Sequence, residues 1–148
     1  MDEKKSHRTK AELNQRRAEE QAILTGIKMH EAVDVKDDPA AHKEFRRVIK
    51  ILGAVGKNDA LYEAVINTYC RYESDIERYA RLREQIENDA EMKSDSRYKL
   101  ILECDGKIDK FRRKRFDIEK ENGMTIASSA RAIPKTINKP PNPLLDIL

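Results

Sequence analysis

The sequence has no tryptophan, only three phenylalanines and five tyrosines, two cysteines, and no apolar run longer than a few residues. Each shortage excludes something. Without a stretch of about 20 apolar residues, no helix can span a bilayer. Cys70 and Cys104 stand alone, with no Cys-x-x-Cys pair, so neither a disulfide framework nor a zinc ribbon can be built from them. With no secretory leader pattern, they read as free thiols of a reduced, cytosolic protein. His7, His30 and His42 lack ligand spacing with one another or with the cysteines, so no metal is expected. "ILGAVGKN" holds Gly56 and Lys57 but is not a phosphate-binding loop. Ile51 stands where the motif needs its first glycine, and Asn58 where it needs serine or threonine. No nucleophile sits beside a base. The expectation is a non-enzymatic chain with no catalytic residue and no cofactor.

Charge is what the chain has in quantity. Charged and apolar residues each make up 39% of the 148 residues, and 30 lysines and arginines against 27 acids leave a net charge of +3. A helix can carry charge around most of its circumference and still bury a narrow apolar stripe, so this balance fits long amphipathic helices better than a sheet. The fold class expected is all-α. Core material is scarce enough that pairing with further copies is one way to complete it.

The pattern along the chain divides into three regions: a basic N-terminal arm and helix over 1–37, a helical core over 38–123, and a short helix with a proline-rich tail over 124–148. "TKAE" is a capping box that starts a helix at Thr9, with Gly26 as its stop. "DVKDDPA" reads as a break, after which Asp38 caps a helix with Pro39 at its first position; Phe45, Val48, Ile49 and Leu52 form its apolar face. Asn58 or Asp59 caps a helix reaching about Asp89. Its stripe of Tyr62, Val65, Tyr69, Tyr72, Ile76, Tyr79 and Ile86 follows heptad spacing, interrupted by Arg83. A further helix from about Asp95 to Asn122 has the stripe Ile101, Cys104, Ile108, Phe111, Arg115 and Ile118, with Gly123 after its end. Two heptad helices joined by a short polar turn predict a long antiparallel helical hairpin with arms of roughly 40 Å. Four of the five tyrosines therefore fall on one seam, read as core and subunit-interface packing rather than base stacking. Arg83 and Arg115 within the seams either meet acids on a facing helix or point into a channel. Thr125 can cap a last short helix ended by Pro134. The tail then carries Leu144, Leu145, Ile147 and Leu148 on a proline-rich linker, as a docking peptide for a partner or a strap onto its own domain.

Two basic clusters are candidates for phosphate contact: Lys4, Lys5, Arg8, Lys10, Arg16 and Arg17 in the arm, and Lys110, Arg112, Arg113 and Lys114 on the last long helix. Residues of this type hold a nucleic-acid backbone without reading its sequence. A helical scaffold that never touches nucleic acid is the alternative, as is a small dimeric helix-turn-helix regulator built on Ala41–Glu73.

Several stretches resemble one family. "AHKEFRRVIKILGAVGKNDALYEAVINTYCRYE" (Ala41–Glu73) resembles the helix–turn–helix pair of the small terminase subunits of tailed bacteriophages, through Leu52, Gly53, Asp59, Tyr69 and Cys70. "GMTIASSAR" (Gly123–Arg131) is similar to a segment that follows the second long helix in that family, and "KSHRTKAELNQRRAEEQAILTG" is similar to the N-terminal arm of some members. The strongly basic, proline-rich start that many members carry is missing. The resemblance implies a protein of the host cytoplasm, not of the mature virion. It also implies a homo-oligomeric ring of about eight to twelve copies, which binds double-stranded viral DNA and presents it to the large ATPase and nuclease subunit. In that setting the seams pack hairpins and ring neighbours, and the apolar tail docks on the large subunit.

Overall fold

The computed structural model of the chain describes residues 9–124. It is 78% helix, with no strand among the described residues, which makes the class all-α. In chain order the helices are α1 (Lys10–Ile23), α2 (Val33–Asp37), α3 (Pro39–Ala54), a single 3₁₀ turn (Ala60–Tyr62), α4 (Glu63–Glu87) and α5 (Ser94–Glu121).

Local chemistry sets most of the boundaries. At α1 the Thr9 hydroxyl accepts from Glu12 N–H while the Glu12 carboxylate accepts from Thr9 N–H, so the capping box forms. Asp38 accepts from the Ala40 and Ala41 amides, and Pro39 opens α3. Asp59 accepts from Leu61 N–H ahead of α4, and Tyr62, expected on the long helix itself, lies in the 3₁₀ turn before it. Gly56 (φ +73°) and Gly123 (φ +69°) end α3 and α5 in the left-handed region, and the next residues close the turns by Lys57 N–H to Leu52 C=O and Met124 N–H to Glu119 C=O. At Gly123 a Cβ would also come within 2.9 Å of Lys57 Nζ, whose ammonium donates to Asn122 C=O.

The main core lies where α2, α3 and the first half of α4 meet. Val35, Phe45, Val48, Leu52, Ile66 and Cys70 are buried there, with Ile118 from the far end of α5 and Met124 just beyond it packed against them. The segment read as a break holds a helical turn, because Val35 is fully buried in this core and fixes the backbone around it. Asn67, in the middle of α4 and 3% exposed, ties the preceding segment down: it accepts from Ala32 N–H and donates to His30 C=O and Glu63 C=O. Asn67→Leu strands these buried groups without partners and is expected to lower unfolding stability by about 2–3 kcal/mol in a urea titration. A loss below ~0.5 kcal/mol would show that the segment is held by Val35 packing instead.

α4 and α5 pack along their length. Tyr69 meets Glu119, Glu73 meets Arg115, Tyr72 and Tyr79 meet Phe111, and Arg83 meets Asp105. Successive residues of α4 thus meet earlier residues of α5, so the two helices run in opposite directions. In the intervening turn Arg97 donates to the carbonyls of Asp89 and Met92.

Candidate nucleic-acid interface

α3 has two faces of opposite character. Ala41, Phe45, Val48 and Leu52 turn inward. At 100° per residue, Lys43, Arg46, Arg47 and Lys50 fall within roughly a 100° arc opposite that core, and all four are exposed. The helix carries four cations and one acid, Glu44, which is 9% exposed and turned away from this arc. Lys43, Arg46 and Lys50 make no ion pair within 4 Å among the described residues. Three cations without ion pairs among the described residues, on the rigid face of a packed helix, can lie along a phosphate backbone.

These four residues do not form an unbroken basic run, so they do not stand out in the sequence as the arm and α5 clusters do. The same helical spacing that finds Phe45, Val48 and Leu52 would have found them.

The arm and α5 candidates are placed differently. Lys4, Lys5 and Arg8 lie outside the described residues, as do Leu144, Leu145, Ile147, Leu148 and the helix expected after Thr125. In α1, Lys10, Arg16 and Arg17 are exposed, but Glu12, Glu19 and Glu20 match them one for one, and Arg16 pairs with Glu20 at 3.3 Å. That helix buries no residue and presents no net charge. On α5, Lys110, Arg112 and Arg113 are exposed, whereas Lys114 is half-buried with its ammonium over the rings of Tyr72 (5.4 Å) and Phe111 (5.9 Å).

Arg115 joins the three helices. Its guanidinium lies 4.4 Å from the Tyr69 ring centroid and donates to the Tyr69 hydroxyl, to Glu44 on α3 and to Glu73 on α4. Glu44 Oε1 also accepts from Arg47 Nη2, with Arg47 Nε on Oε2. Burial pushes the Glu44 carboxyl up, but the paired guanidiniums of Arg47 and Arg115 outweigh it and hold it below its ordinary value. Tyr69, 1% exposed, donates to Glu119, and burial raises its hydroxyl well above its ordinary range. Arg83 pairs with Asp105 across the two long helices and with Glu87 on its own. Both seam arginines meet acids.

The seam residues divide by depth. Tyr69, Ile76 and Ile108 are buried, whereas Tyr62, Val65, Tyr72, Tyr79 and Phe111 are half-buried. The Phe111 ring lies between Tyr72 and Tyr79, with centroids 5.7 and 6.0 Å away. Ile66 and Cys70, one position along from Val65 and Tyr69, form a second buried face toward α3.

Burial first, and Glu44 second, push the Cys70 thiol up to about 12, which keeps it protonated at neutral pH. His42 is bonded to Glu31 and His30 to Glu63. Among the described residues there is no cluster of three or more histidine, cysteine or acidic residues that could hold a metal ion, and no helix long and apolar enough to cross a membrane. No protein-family model matches the chain, and neither a curated protein nor a solved structure matches it.

Proposed function

We propose that the chain is a small terminase subunit, a non-enzymatic protein that binds double-stranded viral DNA and brings it to the large ATPase and nuclease subunit for genome packaging. The observation that carries the DNA part of this reading is the outward face of α3, where Lys43, Arg46 and Lys50 stand free of ion pairs among the described residues, beside Arg47, which is bound to Glu44. The packaging part rests on the resemblance of Ala41–Glu73 and Gly123–Arg131 to that family. In this reading α4 and α5 are the arms of the long hairpin and copies assemble into a ring in the host cytoplasm. Each ring position repeats the α3 face, so weak contacts add through avidity. The apolar end Leu144–Leu148 docks on the large subunit.

The test is binding of a fluorescent duplex, followed by anisotropy over a salt series, with the mass of the free protein measured by light scattering. The expected result is sequence-tolerant binding whose logarithm falls linearly with the logarithm of salt, by a slope of about 3 or more for each engaged α3 face. A folded protein that leaves the duplex free at low salt would overturn the DNA reading and put the helical scaffold in its place.

A further inference from the structure

Among the described residues no other helix packs on the outward side of α5, where the Lys120 ammonium lies 5.5 Å from the Phe116 ring centroid. Cys104, Ile108, Phe111 and Arg115 turn toward α4. On the opposite side, at steps of three and four, stand Leu102, Gly106, Asp109, Arg113, Phe116 and Lys120. Leu102 is 51% exposed and Phe116 53%. Asp109 and Arg113 carry opposite charges one turn apart, and neither has an ion pair within 4 Å among the described residues. Asp109, Arg112, Arg113, Phe116 and Asp117 line a shallow depression. Gly106 sits inside the helix, where glycine is destabilising relative to alanine, and a Cβ there would meet nothing within 4 Å. Nothing among the described residues calls for a glycine at that position.

One register of a second copy satisfies these features together. When two α5 helices run antiparallel with Asp109 opposite Arg113 of the partner subunit, Phe116 stands level with the partner's Gly106 and Leu102 level with the partner's Lys120. Charge meets opposite charge, the exposed ring meets the position without a side chain, and the lysine stem covers the leucine. A twofold axis makes every contact twice, so the face is complementary to itself. We propose that the outward face of α5 is a self-association surface through which two copies pair antiparallel in this register. This goes beyond the packaging reading and does not depend on it. The face is a single helix side, at the small end of specific interfaces, so micromolar association is expected.

The test is the mass of the full chain by light scattering and sedimentation over a concentration series up to about 100 μM. The same series is run for Asp109→Arg, Arg113→Asp and the double exchange. Each single reversal places like charges opposite one another twice and should weaken the pairing about tenfold or more. The double exchange restores opposite charges and should return the original mass. Phe116→Ser at this exposed position should also weaken pairing, with helix content unchanged by circular dichroism. The proposal is overturned if the unaltered chain does not associate through the series, if single reversals leave its mass unchanged, or if the double exchange does not recover what each single loses.

Discussion

Replacing Lys43, Arg46 and Lys50 together by glutamate is expected to abolish most duplex binding while leaving the fold intact. All three are exposed, and none holds an ion pair within 4 Å among the described residues, so their substitution costs the folded state little. Each phosphate contact of a lysine or arginine adds about one counterion to the salt dependence. The substituted protein should therefore lose close to three units of salt slope. At about 1 kcal/mol per contact, affinity at low salt should fall roughly a hundredfold or more. Arg47 is left unchanged because its guanidinium is bound to Glu44, and altering it would disturb the core as well. The measurement is anisotropy across a salt series, with thermal melting as the control for folding. Unchanged slope and affinity would remove α3 from the interface. The companion change Arg112→Glu with Lys110→Glu should have a smaller effect; the reverse ranking would move the interface to α5.

The second large effect is expected at Arg115. Its side chain is 18% exposed and pairs with Glu44 and Glu73, whose side chains are 11% and 23% exposed. Arg115→Met preserves much of the volume but leaves Glu73 without its cation and Glu44 with only Arg47. Removing one member of such a buried network typically costs 3–5 kcal/mol, because charge stays behind in a poorly solvated place. Here Glu73 keeps some contact with water, so about 3 kcal/mol is expected, a fall in Tm of roughly 10 °C for a chain of this size. Changing the acids as well, in Arg115→Met with Glu44→Leu and Glu73→Leu, should recover much of the loss. Replacing a whole ion network by apolar groups is often neutral. A single substitution costing less than about 1 kcal/mol would mean that water reaches both acids and that the three helices are joined by Tyr69 and its apolar neighbours alone.

Much of the architecture was legible in the sequence because its signals are local. Thr9 with Glu12, Asp38 with Pro39, and Asp59 act on amides two or three residues away, so the helix starts follow from the sequence alone. The stripes of α4 and α5 follow from spacing, because side chains three and four apart share a face whatever lies opposite. The basic arc of α3 was equally legible by that rule, hidden only because it is not a run of consecutive cations.

What the tertiary structure decided are the pairings over long separations in the chain. The turn at Val33–Asp37 has no side-chain cap; it exists because Val35 enters a core supplied by α3 and α4, with Asn67 bonding the segment just before it. Spacing put Arg115 in a seam but could not say that Glu44, 71 residues away, and Glu73, 42 away, would meet it. Nor could it say that Lys114 would lie on two rings while Arg113 has no ion pair within 4 Å among the described residues. Hydrogen bonds to neighbouring amides and helical periodicity act within a few residues and are written into the sequence. Burial and ion pairing depend on which distant segment arrives opposite, and only the packed chain fixes that.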